Sequence, residues 1–173
     1  MADENSERPL DQVAPARPAE KERVFLVVVD ESEEMENALH FACRRARNTQ
    51  GRVALLYVIE PAEFQHWLGV ERVMQDEARQ HAEQTLQTLA ARVQAETGKL
   101  PILHVREGRR RDELLAMIEE DPGISLLVLG MATSREGPGP LVTYLVGQMG
   151  GQMRVPVTLV PGQLTPEEID EVT

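Results

Sequence analysis

Apolar and polar positions along this chain fall into short blocks whose period keeps switching. VFLVVVD, Val24 to Asp30, is a β-branched run bounded by polar residues, and it predicts a strand buried on both faces. Next, Met35, Ala38, Leu39, Ala42, Cys43 and Ala46 recur at i, i+3, i+4, i+7, i+8 and i+11, the single stripe of a helix. Glu31, Glu33 and Glu34 open that segment and Arg44, Arg45 and Arg47 close it, in the order the helix dipole favours.

The alternation then repeats. RVALLYVIEP, Arg52 to Pro61, predicts a second strand, and Val70, Val73, Ala78, Ala82, Leu86, Leu89 and Val93 predict a long helix ending at Gly98. PILHV, Pro101 to Val105, reads as a third strand and RDELLAMIEE as a third helix. ISLLVLG, Ile124 to Gly130, is a fourth strand, PLVTYLVGQM a fourth helix with Pro140 at its first position, and RVPVTLVPG, Arg154 to Gly162, a fifth strand. The expected fold class is α/β: a single doubly wound, five-stranded parallel sheet with helices on both faces. Ligands of such sheets sit beyond the carboxyl ends of the strands, where Asp30, Val58 to Glu60 and the loop after Gly130 fall.

The flanks read differently. Residues 1–21 are rich in proline, alanine and charge without periodicity, and are expected to be a disordered tail. The domain then spans 22–162, and 163–173 form a C-terminal tail in which Thr165 and Pro166 predict the cap and first position of a short helix.

Composition narrows the partners. The 173 residues suit one domain, and with 42% hydrophobic but only 3% aromatic residues the core must be aliphatic. A formal net charge of -11 repels a polyphosphate backbone, so no nucleic acid is expected. No apolar run approaches the roughly 18 residues of a membrane span and no signal-peptide core stands near Met1, so the expected location is cytoplasmic, with no membrane partner. The single cysteine, Cys43, lies on an apolar stripe and reads as core. His40, His66, His81 and His104 are scattered without metal-ligand spacing, and no nucleophile-base or paired-carboxylate pattern stands out. Neither a metal nor a catalytic residue is assigned, and the expectation is a protein that is not an enzyme.

The sequence LLVLGMATSREGPGPLV, Leu126 to Val142, gathers three glycines and small hydroxyls between a strand and a helix. Thr133, Ser134, Arg135, Gly137 and Gly139 can offer hydroxyl, guanidinium and backbone donors to an anion ahead of a helix N-terminus; the same residues can equally serve as a turn that sets the direction of the fourth helix. Asp30 is open to two readings as well, a ligand for a sugar or base and the cap of the first helix with Glu33 three residues on. Arg109, Arg110 and Arg111 stand at the ligand edge, to meet a phosphate or an acidic partner, or to be solvated beside Glu107, Asp112 and Glu113.

Taken in order, VVVD, LLYVIEP, HVREGRRRDELLAMIEE, LLVLG and VPVTLVP resemble the universal stress protein family over about Arg23 to Pro161. The resemblance implies a flavodoxin-like, nucleotide-binding fold and a homodimer formed through the last strand. It also implies a division between members that bind ATP through G-x2-G-x9-G-(S/T) after the fourth strand and members that do not. Asp30, Val58 and Gly130 match the family's nucleoside and first loop positions. Counted without gaps, Thr133 falls on the second glycine and Thr143 and Tyr144 on the final pair, so only the first loop position keeps its residue type. A register through Gly137 and Gly147 needs compensating gaps and still offers Gln148 for the hydroxyl. The resulting expectation is a homodimeric stress-response regulatory domain that acts through contacts with an unidentified protein partner and binds nucleotide weakly or not at all. The alternative is a sensor of ATP or another adenine nucleotide with an altered phosphate loop.

Overall fold

The computed structural model describes residues 22–61, 68–133, 137–149 and 153–173. The expected tail 1–21 lies outside the described residues, as do Ser134 and Arg135. The elements are β1 (Val24–Val29), α1 (Glu33–Thr49), β2 (Arg52–Ile59), α2 (Leu68–Thr97), β3 (Ile102–Glu107), α3 (Arg110–Glu120), β4 (Ile124–Met131), α4 (Pro140–Tyr144), β5 (Val157–Pro161) and α5 (Pro166–Glu171). The sheet is parallel throughout, in the order β3-β2-β1-β4-β5, so strand order reverses between β1 and β4 and both β3 and β5 are edges.

Pleating divides each central strand between two cores. Phe25, Val27 and Val29 of β1 face α1, α2 and α5, where they meet Leu39, Ala42, Leu86, Val93 and Ile169. Val24, Leu26 and Val28 face α3 and α4, against Leu114, Met117, Ile118, Val142 and Leu145. β1 is buried at every position, as its unbroken aliphatic run requires.

Several expectations shift in detail. Val73, one of the apolar positions that predict α2, is 56% exposed and off the core stripe. Nine residues separate it from the buried Ala82, two and a half helical turns, so the two face opposite sides. The fourth helix is α-helical only to Tyr144 and continues as a π-helical turn over Leu145–Met149. β5 begins at Val157, later than expected and directly after Pro156, which has no amide hydrogen for the ladder; ahead of it the Arg154 guanidinium donates to the carbonyls of Ile118, of Asp121 at 2.8 Å and of Ile124 at 3.5 Å. The C-terminal helix forms as expected, with a reciprocal capping box between Thr165 and Glu168. Rather than hanging free, it buries Ile169 completely against α1.

Candidate functional site

β1 ends short of its neighbours. Its pairing with β2 stops at Val29↔Tyr57 while β2 and β3 remain paired to Ile59↔Glu107, and its pairing with β4 stops at Val27↔Val128 while β4 and β5 continue to Met131↔Pro161. The notch left at the carboxyl edge opens into a cavity of about 300 Å³ lined by Val29, Asp30, Glu31, Ser32, Tyr57 and Arg110.

Asp30 is not the cap of α1; Ser32 occupies that position. Instead, Asp30 Oδ1 accepts from the Ser32 amide at 3.0 Å and its hydroxyl at 2.5 Å, an Asx turn that fixes the carboxylate at the end of β1. Its Oδ2 faces an Arg110 Nη at 3.8 Å. The other Nη of Arg110 lies 3.5 Å from Glu60, whose second oxygen accepts from the Arg110 amide at 3.1 Å. The Gly108 amide donates to the Ile59 carbonyl at 3.0 Å, so the turn before α3 is pinned to the end of β2 at two points.

The outer wall is made by Tyr57. Its ring meets His81 of α2 edge to face at a centroid distance of 6.4 Å, and His81 in turn lies 3.3 Å from Glu31. Burial above all, reinforced by the charge of Glu31, pushes the Tyr57 phenol above its ordinary pKa, so it stays a neutral hydroxyl at physiological pH. Val58 is buried among the residues facing α3, which leaves only its main chain near the notch.

The loop after β4 has a different character. Gly130 has no positive φ; its role is close approach, since a β-carbon there would collide with the Glu34 carbonyl group of α1. Gly137 and Gly139, at φ 103° and 99°, take the left-handed region and have nothing within 4 Å where a β-carbon would stand. Thr133 is exposed at the end of β4. The Thr143 hydroxyl donates to the Gly139 carbonyl at 2.8 Å. The Tyr144 ring is packed against the α3-facing core with the Arg111 guanidinium 5.2 Å above its centroid.

Thus the structure gathers Asp30, Arg110 and the end of β2 around one cavity, while Thr133, Gly137 and Gly139 of the β4–α4 connection and Thr143 of α4 are not among its lining residues. Sequence reasoning missed Tyr57 and Glu31 as cavity walls. Alternation along β2 signals Tyr57, which points to the opposite face from Val58. Arg110, read as solvated or anion-seeking, is drawn to two carboxylates from other loops. Cys43 is buried as expected, its thiol pushed up to about 12 by burial first and Glu96 second. Among the described residues no three His, Cys, Asp or Glu side chains gather as a metal site requires, and no helix is long and apolar enough to cross a membrane.

Comparison with solved structures returns the same fold. The universal stress protein UspA from Lactobacillus plantarum superposes with a TM-score of 0.67 at 20% identity, covering 83% of this chain and 99% of that one. A universal stress protein in complex with cAMP gives 0.58 at 15% identity over 83% and 99%. One from Archaeoglobus fulgidus in complex with dAMP gives 0.57 at 19% over 80% and 97%. No curated protein sequence matches significantly. The sequence profile described as Universal stress protein family matches residues 22–161. That span holds the whole sheet and the notch at Asp30, and the chain belongs to the universal stress protein family.

Proposed function

We propose that this chain is a stress-response regulatory domain that binds an adenine nucleotide weakly through the Asp30 cavity, lacks a working triphosphate cradle, and acts through protein contacts rather than catalysis. The observation that carries the reading is the end of α4 at Thr143 and Tyr144. In ATP-binding members the family pattern supplies a glycine and a small hydroxyl there. Here the Thr143 hydroxyl is spent on a helix carbonyl and a phenol ring stacks beneath Arg111 in place of the hydroxyl residue.

The Asp30 cavity supports the nucleoside half of the proposal. It combines a fixed carboxylate, which accepts from a sugar hydroxyl, with the aromatic wall of Tyr57. Two relatives in the fold were solved with cAMP and dAMP, ligands with a single phosphate. β5 as an exposed edge supports a homodimer through that strand, and cytoplasmic residence fits a regulator of this kind.

Calorimetric titration with ATP and magnesium tests the proposal. The expected dissociation constant is weaker than about 10 μM, roughly −7 kcal/mol. Tyr144→Ser with Thr143→Gly should strengthen ATP binding by about 1 to 3 kcal/mol through regained charge-assisted hydrogen bonds. Tight binding by the unmodified chain would favour the alternative sensor, built on the donors of Gly137 and Gly139, and would overturn the present reading.

A further inference from the structure

The Arg110 side chain is within 4 Å of two carboxylates, yet it makes no hydrogen bond to either, nor to any other described residue. The recorded bond to Glu60 is made by its backbone amide, and its Nε is shut off from solvent with no hydrogen-bond partner among the described residues. A guanidinium carries five N–H donors, and this one, a third exposed at the wall of the cavity, commits none of them to a described residue beyond two long ion pairs. It also stands against Asp30, the carboxylate on which a sugar would depend.

We infer that Arg110 is the specificity-determining residue of this cavity, an internal occupant of Asp30 that gives way to a nucleoside monophosphate in preference to the neutral nucleoside. The inference rests on the proposed reading of the Asp30 cavity as a nucleoside site. A neutral nucleoside whose hydroxyl donates to Asp30 competes with Arg110 for the Oδ2 that it faces and offers the guanidinium no anion in return. A monophosphate on the same sugar returns a planar pair of oxygens to the guanidinium, the geometry for which an arginine fork is suited. Asp30, held in place by Ser32, accepts from a sugar hydroxyl and Arg110 turns to the phosphate, with Glu60 keeping hold of the α3 amide throughout. Neither neighbouring arginine lines the cavity, and Arg111 is engaged with Asp112 at 3.2 Å and with the Tyr144 ring, so further phosphates gain little. The lining agrees with this limit: Arg110 is its one cationic residue and stands beside Asp30, Glu31 and Glu60, so phosphates beyond the first find no further cation on the cavity wall.

Titration of the full chain with adenosine, AMP and ATP–magnesium tests this, alongside Arg110→Ala, Arg110→Lys and Asp30→Asn. The unmodified chain should bind AMP about tenfold or more tighter than adenosine, the scale of one charge-assisted pair, and ATP no better than AMP. Arg110→Ala should bind adenosine more tightly than the unmodified chain does and reduce the AMP preference to within about threefold, while Arg110→Lys keeps part of it. A thermal melt within about 2 °C of the unmodified chain verifies that Arg110→Ala is folded, as expected for a partly exposed side chain with long ion pairs. An AMP preference that persists in Arg110→Ala, with binding still abolished by Asp30→Asn, overturns the inference and leaves the cavity reading standing. Binding indifferent to Asp30→Asn, or absent for all three ligands, overturns both.

Discussion

Gly130 sits at the first position of the family's phosphate loop, but its surroundings give it a packing role that a single methyl group can expose. A β-carbon on Gly130 would lie 2.5 Å from the Glu34 carbonyl carbon and 2.9 Å from its Cγ. Carbon atoms pack at about 3.5 to 4.0 Å, so the first turn of α1 would have to retreat by about 1 Å. The obstructing group is backbone, and no rotamer change relieves it. Overpacking costs about 1 to 3 kcal/mol, and Gly130→Ala belongs at the upper end, about 3 kcal/mol. For a chain of this size that lowers Tm by about 6 to 12 °C.

Two controls separate clash from conformation. In Gly162→Ala the nearest obstacle is the Glu34 Cβ at 3.0 Å, fixed by the α1 backbone but short of van der Waals contact by only a few tenths of an ångström, and the loss should stay near about 1 kcal/mol. In Gly139→Ala nothing obstructs, but φ 99° with ψ 153° is a conformation nearly confined to glycine, and the cost of about 1 to 3 kcal/mol is conformational. Circular dichroism melts of the three variants carry the test. A Gly130→Ala protein that melts within about 2 °C of the unmodified chain would refute the packing argument.

Other expected outcomes follow from the same contacts. Arg154→Ala removes the donors to the Ile118, Asp121 and Ile124 carbonyls and should cost about 2 kcal/mol in urea unfolding, with Arg154→Lys recovering only part. Ile169→Ala, at a fully buried site, should cost about 2 to 5 kcal/mol, whereas a free tail would tolerate it without a measurable change. Burial lowers the His104 pKa below its ordinary 6.5, so the unfolded chain binds its proton first. Stability from this residue is therefore present above about pH 6.5 and lost as pH falls towards the lower folded value, and urea midpoints between pH 7.5 and 5.5 should flatten in His104→Gln.

Period and punctuation made much of the architecture legible. The unbroken aliphatic runs of β1 and β4, the α1 stripe, the burial of Cys43 and the cap at Thr165 all depend on near neighbours in sequence, where local physics decides. The stripe assigned to α2 failed at Val73 because spacing was extended across turns whose phase had already rotated away from the sheet. The site was legible only in part. Asp30 could be placed at a strand end, but its turn with Ser32 left it free of the capping role, and its pairing with Arg110 joins the ends of β1, β2 and β3 through three loops. Arg154 is a similar case, since its acceptors lie at least 30 residues away in sequence. Such long-range polar contacts leave no periodic trace, because a charged residue beside a strand end looks the same whether it is solvated or paired.

The central claim, a nucleoside cavity at Asp30 without a triphosphate cradle, is tested most directly by amide NMR shifts during parallel titrations with AMP and ATP–magnesium. The account predicts that both ligands perturb Asp30, Ser32, Tyr57 and Arg110 most, with affinities within about threefold of each other. Perturbation centred on Thr133 through Tyr144, with ATP bound about tenfold or more tighter than AMP, would contradict it.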